Sequence, residues 1–188
     1  MDDAARFHQI EKELQILASS GIRPGLARLS HMLHLLGNPE RKFRAVHIVG
    51  TNGKGSTAAT LASILSESGC RTALYTSPHL ISFGERLRIG GEEAAPQKWE
   101  DALSAIRSAI EHSEKLKADP PTYFELITAA AFIIIAQAGV DAAVVEAGLG
   151  GRLDATNILG CVVLTLITPI GIDHSEYLGN TLASVAKE

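Results

Sequence analysis

The stretch "HIVGTNGKGSTAAT", His47 to Thr60, decides how the chain is read. Apolar residues lead into Gly50, Gly53 and Gly55, which surround a single lysine, Lys54, and a run of small residues with helical character follows. A strand that turns through glycines into a helix presents several backbone N–H groups on one concave surface. The helix adds its unpaired N-terminal amides and the positive end of its dipole. Together these groups bind phosphate. Glycines suit the turn because a Cβ would block close approach and because some positions need φ > 0. Lys54 supplies a point charge for terminal phosphates, and Ser56 or Thr57 a hydroxyl for Mg²⁺. The general P-loop pattern G-x-x-x-x-G-K-[ST] is met only in part: Ile48 stands where its first glycine belongs and Gly55 where its Ser/Thr belongs.

Working outward, "AVHIVG" (Ala45–Gly50) reads as a strand and the following helix as about Ser56 to Ser68. On the N-terminal side, Phe7, Ile10, Leu14 and Leu17, then Leu26, Leu29, Leu33 and Leu36, recur at helical spacing. The second helix stops at "GNP", and His31 and His34 lie off its apolar stripe, at solvated positions. "TALYTS" (Thr72–Ser77) is a second strand. An irregular stretch follows that carries Arg86 and Arg88 and has room for a short hairpin. A helix with Leu103, Ile106 and Ile110 ends before "ADPP", and a buried helix runs from about Tyr123 to Ala138. "DAAVVEAG" and "CVVLTLIT" are strands apolar on both faces. Apolar strands alternating with helices predict an α/β fold, a mostly parallel sheet with helices on both faces.

The ends of these later strands carry chemistry. Glu146 closes "DAAVVE", where a phosphate-loop fold places an acidic Mg²⁺ contact, although a plain strand-end acid reads the same way. "GLGGRLDATN" follows as a tight loop aiming Arg152, Asp154 and Asn157 at a site. Leu153 rules out a dinucleotide fingerprint counted from Gly148. "TPIGIDH" brings Asp173 and His174 to the same sheet edge, where His174 is a metal ligand or a hydrogen-bonded loop residue. Lysine, glutamate and histidine at three strand ends of one edge form a coherent set.

Composition narrows the rest. The 188 residues are 46% hydrophobic with a net charge of −4, which gives no general reason to bind nucleic acid or an anionic membrane. Aromatics at 5% offer no stacking platform for single strands. Cys70 and Cys161 form no C-x-x-C pair and read as small buried hydrophobes in a reducing compartment. The acidic N-terminus is no secretory signal, and "LITAAAFIIIAQAGV" is shorter than the roughly 20 residues that span a bilayer. The expectation is a cytoplasmic protein.

Taken together, "VGTNGKGST", "YTSPHL", "ERLRIGG", "TYFELITAAAF", "VVEAGLGGRLDATN" and "IGIDHSEYLG" resemble the folylpolyglutamate synthetase/dihydrofolate synthase family, a branch of the Mur ligase superfamily. The resemblance runs from roughly Gly21 onward. It implies a fold like the Mur ligase central domain and an ATP-dependent acid–amino-acid ligase of folate biosynthesis and one-carbon metabolism. In that reaction Mg-ATP phosphorylates a carboxylate and the amine of L-glutamate attacks the acyl phosphate. The acid is dihydropteroate or a folate (poly)glutamate. By position the resemblance assigns Gly50, Thr51, Asn52, Gly53, Lys54, Gly55, Ser56 and Thr57 to ATP, with Lys54 on the β/γ-phosphates. It assigns Ser77, Glu146, His174 and Ser56 to Mg²⁺, and Lys54, Glu146 and His174 to catalysis. Thr122, Phe124, Asp154 and Ala155 fall to the pterin, Phe124 by stacking and Asp154 by accepting from amino groups. Ordinary core packing for Phe124 and loop capping for Asp154 remain open at this stage. So do the roles of His79 and Phe83, in the family's mobile loop.

The family adds a C-terminal domain and a carbamylated lysine expected just past Glu188, so residues 1–188 read as an incomplete N-terminal ATPase/folate-binding domain. It is expected to be inactive alone and, like the family, monomeric. Alternatives are a Mur-type ligase acting on a UDP-sugar acid and a non-catalytic nucleotide-binding module, although no N-K-x-D guanine motif occurs. The sequence does not separate dihydrofolate synthase from folylpolyglutamate synthase.

Overall fold

In the computed structural model, which describes residues 2–188, helical spacing buries Phe7, Ile10 and Leu14 on α1 (Asp3–Leu17) and Leu29, Met32 and Leu33 on α2 (Ala27–Leu35). Strand β1 (Ala45–Val49) leads into α3 (Lys54–Glu67), then β2 (Thr72–Tyr75) and a hairpin of β3 (Leu87–Ile89) and β4 (Glu92–Glu93). The chain continues through α4 (Pro96–Glu111), α5 (Glu114–Ala118), α6 (Tyr123–Ala138), β5 (Ala142–Glu146), β6 (Val162–Ile167), α7 (Ser175–Leu178) and α8 (Leu182–Lys187). The sheet runs β4-β3-β2-β5-β1-β6. β2, β5, β1 and β6 are parallel, and the hairpin adds antiparallel strands at one side. No helix among the described residues is long and apolar enough to cross a membrane.

Both faces are covered, as the alternating pattern predicts. The larger core joins α1, α2, α4 and α6 to one face through Phe7, Leu33, Trp99, Ile106 and Phe132. A smaller core packs Ala58 and Ala62 of α3 against Val46, Ile48 and Val144 on the other. α6 has helix signals at both ends. Thr122 and Glu125 form a reciprocal capping box, and Gly139 closes the helix in the left-handed region at φ 61°.

Local differences from the sequence reading have physical reasons. Helix α3 begins at Lys54 rather than near Ser56, because Gly53 at φ +80° turns the chain into the helix as its N-cap. His31 is half-buried rather than solvated, its Nε2 lying 3.1 Å from the hydroxyl of Ser113, the residue that caps α5. β6 departs most. It was expected to be covered on both faces, yet Val163 is 58% and Leu164 49% exposed. β6 is the last strand of the sheet, paired only with β1. A continuous apolar run does not distinguish a covered strand from an open edge.

The turn after β1 is tightly held. Gly50 has φ +129°, and a Cβ there would lie 2.8 Å from the Thr168 carbonyl oxygen. Gly50→Ala combines backbone strain with overpacking, so it is expected to destabilise the fold by about 2–4 kcal/mol, read by chemical denaturation.

Candidate functional site: a phosphate loop between two cavities

Parallel pairing places the C-terminal ends of β5, β1 and β6 side by side, with Ile48 level with Glu146 and with Leu166. The loop after β1 therefore lies between the loops that follow its two neighbours. Thr51 fastens it on the β6 side: its hydroxyl donates to the Gly171 carbonyl (3.1 Å) and accepts from the Gly171 N–H (2.9 Å). The Thr51 N–H also donates to the Pro169 carbonyl at 3.1 Å. The Thr51 side chain thus braces the loop, while Asn52, Gly53 and Ser56 are exposed. Lys54 begins α3, and its ammonium donates to the Thr51 carbonyl at 3.2 Å. A cavity of about 250 Å³ opens here, lined by Thr51, Lys54, Gly148, Gly150, Asp173 and His174.

On the β5 side, Glu146 is buried at the strand end, and its Oε2 accepts from the Ser77 N–H at 3.2 Å. Burial pushes the Glu146 carboxyl above the usual carboxylate range, while the Ser77 N–H and the nearby Lys54 charge pull it back. Gly55 passes directly over it: a Cβ there would sit 3.4 Å from Oε2. Lys54, Glu146 and Ser77 therefore meet at one rim. His174, on the loop after β6, lines the same cavity as Lys54; it lies in the left-handed region at φ 47°, with its Nε2 3.8 Å from an Asp173 oxygen. No three His, Cys, Asp or Glu side chains converge on a metal-sized site among the described residues. The donor set still suits Mg²⁺, which takes one or two carboxylates together with substrate phosphates. Glu146, a buried anion with a single backbone donor among the described residues, is the natural protein ligand for such an ion.

A second cavity of about 550 Å³ adjoins the first and is lined by all four residues expected at the pterin, Thr122, Phe124, Asp154 and Ala155. The Thr122 side chain is taken up by the α6 cap. Phe124 is partly buried, its ring centroid 6.4 Å from that of Tyr75. Asp154 is buried and accepts from the N–H groups of Leu149 (2.8 Å) and Thr156 (2.9 Å). It therefore caps its own loop while facing the cavity. Gly148, Leu149, His174, Leu178 and Glu188 line both cavities and form their common wall.

The sequence reading missed one feature here. His47, on β1, is buried with Nε2 2.8 Å from the Thr156 hydroxyl, which in turn donates to Asp154. Burial pushes the His47 imidazole below its usual range, with the Asp154 charge opposing, so the neutral ring donates from Nε2. No sequence signal links positions 109 residues apart. His79 and Phe83 also find places: His79 Nδ1 accepts from the Arg86 Nε at 2.9 Å, and Phe83 packs edge-on against Trp99, centroids 4.7 Å apart.

No family model matches the chain. It is 41% identical over 169 residues to the dihydrofolate synthase/folylpolyglutamate synthase of Bacillus subtilis, a match covering 89% of this chain and 39% of that protein. Over nearly its whole length this chain is similar to members of the folylpolyglutamate synthase/dihydrofolate synthase family. Among solved structures, E. coli FolC in complex with DHPP and ADP superposes with a TM-score of 0.85 at 36% identity, over 98% of this chain and 43% of that one. An FPGS–AMPPCP–folate complex gives a TM-score of 0.89 at 36% identity, over 96% of this chain and 44% of that one. The chain thus spans about two-fifths of the length of the family members it matches.

Within this synthase fold, the wall between the cavities depends on an absent side chain. A Cβ at Gly148 would lie 2.6 Å from the Phe124 ring. Gly148→Ala is expected to displace that ring into the larger cavity. A ring-bearing ligand should then bind about tenfold or more weakly, while nucleotide affinity changes little. Parallel titrations with AMPPCP and with dihydropteroate measure the difference.

Proposed function

We propose that the protein acts as a folylpolyglutamate synthase/dihydrofolate synthase, using ATP to join L-glutamate to dihydropteroate or a folate (poly)glutamate through an acyl phosphate. The observation that carries this reading is the common wall: a phosphate loop opens into one cavity, an aromatic-lined cavity lies on the other side, and Gly148 and His174 border both. The relatives lend support, since one solved neighbour holds DHPP and ADP and another AMPPCP and folate.

In this reading the amides of residues 50–57 and the α3 N-terminus hold the nucleotide phosphates. Lys54 neutralises the β/γ oxygens. Glu146, together with Ser77, Ser56 and His174, would hold Mg²⁺, which when bound offsets charge on the transferring phosphoryl group. The acid's ring lies against Phe124, between Thr122, Asp154 and Ala155, and its carboxylate reaches past Gly148 toward the γ-phosphate. Bringing a carboxylate to a triphosphate juxtaposes like charges, so fixed cations and fixed positions supply much of the catalysis. The carboxylate oxygen attacks the γ-phosphorus and ADP leaves. The glutamate amine then attacks the acyl carbon, expelling phosphate and releasing a proton. Residues 1–188 supply the nucleotide and acid sites of this reaction as one domain.

Oxygen tracing tests the reading in the full-length protein. With the acid's carboxylate labelled with ¹⁸O, glutamate-dependent turnover should place one label in the released phosphate. Unlabelled phosphate would exclude an acyl phosphate, and absence of turnover with either folate acid would exclude the substrate class.

A further inference from the structure

Three arginines line the larger cavity, and two of them are satisfied by the protein itself. Arg23 pairs with Asp119 and Arg152 with Glu188. Arg86 is different. It is the most buried of them, 7% exposed, and it lines the cavity. No carboxylate lies within 4.0 Å of it among the described residues. Its Nε donates to His79 Nδ1 at 2.9 Å, and its guanidinium carbon sits 5.8 Å and 6.0 Å from the ring centroids of Phe83 and Tyr123. Glu11, which could have neutralised it, accepts from the Tyr123 hydroxyl at 3.0 Å and lies beyond the opposite nitrogen of His79, 3.9 Å away.

A guanidinium carries five donor hydrogens, and this one uses a single donor within the protein among the described residues. Removing a cation from water costs several kcal/mol unless hydrogen bonds and opposite charge compensate. Two rings at their outer contact range compensate weakly. Arg86 lines the larger cavity, so a partner for its terminal nitrogens is to be sought there.

We propose that Arg86 is a ligand-binding residue of the larger cavity, its terminal guanidinium nitrogens donating to an acceptor oxygen of the bound acid, a carboxylate or a ring carbonyl. Phe83 and Tyr123 sandwich the guanidinium and His79 fixes its rotation, so the fork is oriented before the ligand arrives. This rests on the reading of the cavity as the acid's site and adds to it the cation that answers the acid's oxygen.

The test is equilibrium binding of dihydropteroate, of 6-methylpterin, which has no carboxylate, and of AMPPCP, to full-length wild-type, Arg86→Gln and Arg86→Lys protein. Arg86→Gln should weaken dihydropteroate about tenfold to a hundredfold, the worth of hydrogen bonds to a charged group, with AMPPCP affinity within twofold of wild type. Arg86→Lys, which keeps the charge and loses the fork, should be intermediate. A loss shared by 6-methylpterin assigns the oxygen to the ring carbonyl, and a loss confined to dihydropteroate assigns it to the carboxylate. Dihydropteroate affinity within twofold of wild type in Arg86→Gln would overturn the inference. If that variant fails to bind AMPPCP, Arg86→Lys decides: weakened dihydropteroate binding upholds the inference, and wild-type binding overturns it. Wild-type protein that binds AMPPCP but not dihydropteroate would overturn the acid-site reading, and this inference with it.

Discussion

Lys54→Met is expected to lower kcat/KM for the ligation about 10²- to 10³-fold in the full-length protein while leaving the fold intact. The ammonium's hydrogen-bond partner is the carbonyl of Thr51, three residues earlier in the same loop, so removing it breaks no hydrogen bond between elements. The stability cost should stay within about 0.5 kcal/mol, as for other substitutions outside the core. The kinetic cost is large because the lost charge faces the oxygens on which negative charge accumulates, and one such donor is worth factors of this size. Loss in kcat, with a smaller rise in the KM for ATP, would show that the charge acts mainly in the transition state. A Lys54→Met enzyme with wild-type kcat would remove lysine from the mechanism.

Glu146→Gln should move activity and stability in opposite directions. Without the carboxylate the Mg²⁺-supported rate is expected to fall at least about 100-fold, comparable with losing a charged clamp. The metal-free protein should nevertheless become more stable at pH 7. Burial raises the Glu146 pKa on folding, so the folded state holds this proton more tightly than the unfolded state does. The stability contributed by the protonated form is fully present below the unfolded pKa, about 4.3. It is lost as pH rises through the higher folded value. Glutamine mimics the protonated form at every pH. The Tm difference between variant and wild type should be largest near neutrality and shrink in acid. Saturating Mg²⁺ and nucleotide should reverse its sign, since they stabilise only the protein that binds them. A Tm lower than wild type at pH 7 without metal would mean that Glu146 is a structural acid.

Much of this arrangement is legible from local signals. The capping box at Thr122 and the stop at Gly139 fix α6 because they act within a few residues. The glycine turn before α3 is legible because close packing and positive φ leave the same mark, an absent side chain. The set of strand ends is also legible: once β1, β5 and β6 are read as parallel, their C-terminal residues must share an edge. What escapes is long-range. The His47–Thr156–Asp154 chain and the stranded guanidinium of Arg86 depend on which side chains meet across the fold, and sequence spacing carries no record of that. Asp154 shows the boundary between the two. Its loop position was readable, but its double use, capping Thr156 while facing a cavity, required the packed structure.

The central claim is that one rim holds a nucleotide's terminal phosphates against an organic acid. A crystal structure of the full-length protein with AMPPCP and Mn²⁺, phased to show the anomalous signal of the ion, tests it most directly. The account predicts phosphate density on the amides of residues 50–57, manganese bound by the Glu146 carboxylate, and the γ-phosphate facing the wall formed by Gly148 and His174. Nucleotide seated elsewhere, or an ion with no contact to Glu146, would contradict it.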